Sequence, residues 1–118
     1  MIPSDIKPVA WIGSSHQDLR KMPAPVQDDI GYALWLAQTG ETYYNTKSLK
    51  GFSGVYEIIS DYQTDTYRAV YAAKLGDRIF VLHAFQKKSK QGIATPKKEL
   101  DLIRRRFQEA QVLAKENE

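Results

Sequence analysis

The chain has 118 residues, 42% of them hydrophobic and 26% charged, an ordinary globular composition that excludes wholesale disorder and a fibrous repeat. It has no cysteine and two histidines, His16 and His83, which excludes disulfides, thiolate nucleophiles and a histidine metal cluster, so neither a metal nor a cofactor is expected. Net charge is +3, but residues 1–59 hold five Lys/Arg against six Asp/Glu, whereas residues 60–118 hold twelve against eight.

One domain over residues 1–118 is expected at this length. The longest uncharged apolar stretch, Ile30 to Ala37, is about half of what a bilayer span requires. The first residues lack the basic-then-apolar order of a signal peptide. A cytoplasmic chain with no membrane partner is therefore expected.

Val9 to Ile12 is a short apolar run closed by Gly13 and reads as a first strand. Ser14 and Ser15 offer an N-cap, with Asp18 in a box-like position three residues after Ser15, which predicts a short helix around His16 to Lys21. Pro23-Ala24-Pro25 breaks it and starts a second helix, whose stripe of Val26, Ile30, Ala33, Leu34 and Ala37 recurs at helical spacing until Gly40. Trp35 falls on the side opposite that stripe. Gly40 to Gly54 reads as the longest irregular segment. Three strand-like runs follow, Val55 to Ser60, Thr66 to Leu75 and Arg78 to Phe85, with short polar turns that imply an antiparallel meander. Thr95-Pro96 caps a last helix, buried along Leu100, Ile103, Phe107, Ala110 and Ala114. This order predicts an α+β domain with a mostly antiparallel twisted sheet, two N-terminal helices and a C-terminal helix. The helices are expected on one sheet face, with the other left open.

The chemistry-bearing residues are basic and aromatic. Neither histidine lies in a nucleophile motif, no glycine-rich phosphate loop is present, and the acidic residues are scattered. His83 to Arg106 carries eight Lys/Arg against Glu99 and Asp101, a density that suits a polyanion or an acidic protein, and equally a solvated face. Alternation puts Arg68, Val70, Ala72 and Lys74 on one face of a strand and Tyr67, Ala69, Tyr71 and Ala73 on the other. Arg68 then reads as a phosphate contact, or as half of a salt bridge with Glu57 or Asp61. Lys87 and Lys88 form a basic rim at the sheet's end, where they can neutralise a phosphate oxygen or, with lowered pKa, exchange a proton. His83 reads first as a half-buried strand histidine and second as a proton-transfer group. Arg68, Lys87 and Lys88 are treated as surface residues whose replacement costs little stability.

Lys47-Ser48-Leu49-Lys50-Gly51, Gly54-Val55-Tyr56-Glu57-Ile58, Tyr67-Arg68-Ala69-Val70-Tyr71, Leu82-His83-Ala84-Phe85-Gln86-Lys87-Lys88-Ser89-Lys90 and Thr95-Pro96 occur in an order and spacing that resembles the phage-derived HigB-like toxins of the RelE/ParE superfamily. The similarity covers about residues 8 to 114, and Phe-Gln-Lys-Lys followed by Thr-Pro is its most specific element. Two positions depart from the pattern: Ile59 stands where many relatives carry an arginine, and Ser48 where a proline is usual. The resemblance implies a RelE/ParE-like fold and a type II toxin whose relatives cut messenger RNA, often on the ribosome, without a metal, and are restrained by a small helix-turn-helix antitoxin. Under it, Arg68, Lys87, Lys88, His83 and Tyr71 are the candidate catalytic residues, and Lys50, Lys74, Lys90, Lys97 and Lys98 the candidate RNA contacts. The alternatives are a protein-binding toxin of the ParE kind, which inhibits gyrase, and an inactive prophage-derived protein that only binds its antitoxin.

Overall fold

Strand alternation and the register shifts between two strands decide which side chains meet. The computed structural model describes residues 6–87 and 94–116, and runs β1 (Val9–Trp11), α1 (Ser15–Arg20), α2 (Ala24–Gln38), β2 (Thr46–Ser48), β3 (Val55–Tyr62), β4 (Asp65–Leu75), β5 (Arg78–Lys87) and α3 (Lys97–Glu116). One five-stranded sheet has the order β1-β5-β4-β3-β2. The pairs from β2 to β5 are antiparallel, and β1 lies parallel to β5. β2 interrupts the segment expected to be irregular.

Both sheet faces are covered, which corrects the expectation of an open face. On one side Val26, Ile30, Ala33 and Ala37 of α2 pack with Ile58, Tyr67, Ala69, Tyr71, Ile79 and Val81. On the other, Ile103 and Ala110 of α3 pack with Val55, Val70, Ala72, Phe80, Leu82 and Phe85, joined at the margin by Leu100, Phe107 and Ala114. The expected α3 stripe is thus the buried one, but it closes the opposite face from α1 and α2. Each fully buried Val, Leu or Ile contributes ~1.5–3 kcal/mol, so leaving β4 and β5 bare on that side would forfeit several such terms. Ile103→Ala removes a side chain of 0% exposure and costs about 2–5 kcal/mol.

The termini of the helices follow local chemistry. Gly40, at φ 88°, takes the left-handed conformation after the last turn of α2, where glycine carries no Cβ penalty. Its N–H donates to Ala37 O at 3.1 Å and that of Glu41 to Leu36 O at 2.8 Å, closing the helix as a Schellman motif. The box expected at α1 does not form. The Ser14 hydroxyl donates to Asp18 Oδ2 at 2.7 Å, while that of Ser15 donates across to Val81 O at 3.1 Å. Trp35 lies off the α2 core and is 45% exposed, as its position predicts.

The pairing of β4 with β5 shifts register twice, between Ala72 and Leu75 and between Val70 and Tyr71, and the second shift is a bulge in β5. Val70 pairs with His83 and Tyr71 with Val81, leaving Leu82 as an extra residue. An extra residue shifts the alternation by one. Ile79 and Val81 therefore face α2, whereas His83, Phe85 and Lys87 share the α3 side with Val70 and Arg68.

Candidate functional site

The sheet register brings four charged residues together on the α3 face, one from each of four adjacent strands. Lys47 on β2 is directly opposite Glu57 on β3. Arg68 on β4 is opposite Ile59, which makes Glu57 its diagonal neighbour. On β5 Arg68 faces Phe85, so Lys87 is the next diagonal neighbour. Diagonal neighbours on one face are within reach of long side chains.

Glu57 is the hub. It is 0% exposed, and Arg68 is 4% exposed. The Arg68 guanidinium donates from Nη1 to Glu57 Oε1 at 2.8 Å, Lys47 Nζ lies 3.6 Å from the same oxygen, and the Thr95 hydroxyl donates to Oε2 at 2.8 Å. A buried carboxylate survives ionised only when paired and hydrogen-bonded in this way. Of the two roles weighed for Arg68, the ion pair with Glu57 is therefore present.

Lys87 is buried rather than on an exposed rim, with 7% of its surface accessible. Burial holds its pKa below the ordinary lysine value, Arg68 and Lys47 push the same way, and Glu57 opposes them. Among the described residues, three cations stand around one carboxylate, Arg68 and Lys87 buried beside it and Lys47 half-exposed at 3.6 Å. Cationic side chains held in a low-dielectric setting, as Arg68 and Lys87 are, can stabilise negative charge brought against them. The burial of Arg68 in its pair with Glu57 also corrects the expectation that its replacement costs little stability.

The remaining candidates are dispersed. His83 lies four residues before Lys87 on β5, about 13 Å along a strand, and is tied to α3. Arg106, which can only donate, approaches Nδ1 at 3.4 Å, so Nε2 carries the proton and donates to Glu99 Oε2 at 3.0 Å. The ring stacks on Phe85 at 4.7 Å. Burial lowers the His83 pKa, Glu99 opposes the shift, and Arg106 adds to it. His83 is 6% exposed, more deeply buried than the half-buried strand histidine of the first reading. Tyr71 is on the opposite sheet face in the α2 core, 3% exposed, beside Tyr56 at 5.6 Å. Burial, followed by Tyr56, pushes its pKa up to about 12. It does not meet Arg68 or Lys87.

Among the basic residues, Lys50 is exposed in the turn after β2 and lines a groove of about 340 Å3 with Lys47, Ser48, Leu49, Ala94, Thr95 and Leu100. Lys97 and Lys98 are exposed in the first turn of α3, with Lys97 Nζ 3.5 Å from Asp101. Lys74 is six residues from Arg68, about 20 Å away along β4 and apart from the cluster. Lys88 and Lys90 lie outside the described residues. Arg106 is structural: it donates to Leu82 O at 3.0 Å, the carbonyl of the bulge residue, and to Ser14 Oγ at 3.1 Å. Arg104 stacks over Phe52 at 4.7 Å.

Sequence reasoning assigned no site role to Lys47, Glu57 or Thr95. Their signal is the placement of Glu57 between Val55 and Ile59 on one strand face, where a carboxylate demands partners. Among the described residues no three of His, Cys, Asp and Glu gather to hold a metal ion. No helix among them is long and apolar enough to cross a membrane.

A five-stranded mixed sheet with two helices before its meander and one after it makes an α+β protein compatible with the RelE-like fold. The family model for phage derived protein Gp49-like matches residues 17–108, which include every residue of the cluster. The chain belongs to that family, a phage-derived group of RelE/HigB-like toxins of toxin–antitoxin systems. No curated protein matches the chain.

Proposed function

We propose that the chain is the toxin of a type II toxin–antitoxin pair, restrained by a small helix-turn-helix antitoxin, and that it cleaves messenger RNA, with the ribosome as the place of encounter. The observation that supports this most is the gathering of Lys47, Arg68 and Lys87 around Glu57, two of these cations buried, beside an open groove. In the cleavage step the RNA 2′-oxygen loses its proton and bonds to phosphorus, while the bond from phosphorus to the 5′-oxygen breaks and that oxygen gains a proton. A 2′,3′-cyclic phosphate and a 5′-hydroxyl result. Arg68, aligned by Glu57, faces the charge that grows on the phosphate oxygens. Lys87, whose lowered pKa eases release of its proton, is the group suited to proton transfer. Lys50, Lys97 and Lys98 supply backbone contacts farther out.

The test is a translating extract supplied with labelled transcript and purified protein. Cleavage that is lost in Lys87→Met supports the reading. Inhibition of gyrase supercoiling without cleavage would replace it by the protein-binding alternative, and neither effect would leave antitoxin binding alone. Because the charge is carried by side chains, single-turnover cleavage of a free RNA oligonucleotide at high protein concentration should persist in excess EDTA. Restoration by magnesium after loss in EDTA would overturn that chemistry.

A further inference from the structure

The groove beside the charge cluster has its own chemistry. Leu49, Ala94 and Leu100 give it apolar walls, and Lys47, Ser48, Lys50 and Thr95 place polar groups around them. Its volume of about 340 Å3 lies at the small end of the range of ligand sites. Two of the residues that line it also touch the buried hub: Thr95 donates to Glu57 Oε2 at 2.8 Å, and Lys47 Nζ is 3.6 Å from Oε1. The groove therefore begins one side chain away from the Arg68 guanidinium, which holds Glu57 Oε1 at 2.8 Å.

An occupant must be flat or compact and apolar enough for Leu49 and Leu100, and must carry an anion where Lys47 and Lys50 stand. A nucleobase joined to its phosphate meets these conditions together. An acidic peptide would supply the charge without the apolar body, and an acyl chain the reverse. We infer that the groove between the β2–β3 turn and the start of α3 is the subsite for the base of the nucleotide next to the phosphate held at Arg68 and Lys87. This rests on the ribonuclease reading and adds to it a defined pocket for one base.

Two measurements separate the subsite from the nuclease. In the first, 13C-labelled methyls of Leu49, Ala94 and Leu100 are followed by NMR during titration with the four ribonucleoside 5′-monophosphates, in the wild type and in Ala94→Trp, which fills the groove from an exposed position. Saturable shifts confined to these methyls, and absent in Ala94→Trp, are expected. In the second, single-turnover cleavage is compared for an RNA oligonucleotide and the same oligonucleotide with an abasic ribose on either side of the cleaved bond. One abasic position should lower kcat/KM at least about tenfold in the wild type, the loss typical of one bound base, and little in Ala94→Trp. Shifts without any RNA cleavage would uphold the subsite and remove the nuclease reading. Cleavage indifferent to both abasic positions, with no methyl shifts, would overturn the subsite and leave the nuclease standing. Absence of both effects would overturn both.

Discussion

Arg68→Ala tests the site through its energetics. The substitution removes a guanidinium 2.8 Å from Glu57, in a pair whose side chains are 4% and 0% exposed. Breaking a buried pair from one side typically costs ~3–5 kcal/mol, because the other charge stays behind in a low-dielectric setting. Glu57 keeps the Thr95 hydroxyl at 2.8 Å and Lys47 at 3.6 Å. Removing Arg68 also relieves one of the influences that hold down the pKa of Lys87. Both place the cost at the low end, about 3 kcal/mol, or a fall in Tm of about 12 °C at roughly 4 °C per kcal/mol for a chain of this size. The double variant Glu57→Gln/Arg68→Met leaves Thr95 an acceptor and removes both charges, so it should melt within about 4 °C of the wild type. Its cleavage should still fall at least ~100-fold, as for loss of a charge aimed at the transition state. Thermal melts by circular dichroism and single-turnover cleavage measure the two quantities. A melt of Arg68→Ala within about 3 °C of the wild type would refute the buried pair, and a double variant that cleaves normally would refute the role of Arg68.

Lys87→Met should be neutral or stabilising while cleavage is lost, since the site disfavours the lysine charge even with Glu57 nearby. Because the folded-state pKa lies below the unfolded one, its destabilising effect is full below the lowered value and fades as pH rises through that value toward 10.5; urea melts of wild type and variant should therefore converge at high pH. Gly13→Ala should destabilise by at least about 1–2 kcal/mol from the left-handed conformation alone, at φ 58°. A Cβ there would also meet the Arg106 guanidinium at 2.8 Å, so the melt of Gly13→Ala/Arg106→Lys should not fall by the sum of the two single effects. Lys98→Ala/Arg105→Ala, both exposed on α3, should leave single-turnover cleavage intact at saturating protein while weakening RNA binding and flattening its salt dependence.

Element types were legible because their signals are local. The apolar stripe of α2, the stripe of α3 and the turns between strands repeat at fixed spacing in the sequence. β2 was not legible: Thr46-Lys47-Ser48 has no alternation of its own and is a strand only because β3 supplies the partner. The face covered by α3 was missed for a related reason. Without the Leu82 bulge, His83 and Phe85 would keep step with Ile79 and Val81 toward α2, and nothing in the residues of β5 announces the extra one. Arg68 and Lys87 were legible as residue types, but their meeting depends on diagonal pairing across strands whose register the sequence does not state.

Burial turns the basic composition into a discriminating feature. Lys47, Lys50, Lys97 and Lys98 are surface or half-exposed groups whose charges are screened by water and salt. Arg68 and Lys87 are not, and a fold seeking only stability gains nothing by keeping three cations around one carboxylate when apolar side chains of equal size would pack there without a desolvation cost. Thr95 bears on the same point: its hydroxyl donates to Glu57, so the entry to α3 is fastened to the charged hub. An anion that enters the cluster relieves the repulsion among the cations and stabilises the folded chain in proportion to its binding. Inorganic phosphate or a short RNA oligonucleotide should therefore raise the Tm of the wild type, and should do so less in Lys87→Met, which lacks one of the cations the anion would meet. An equal rise in both proteins would place the bound anion on the exposed lysines of α3 and take the cluster out of the site.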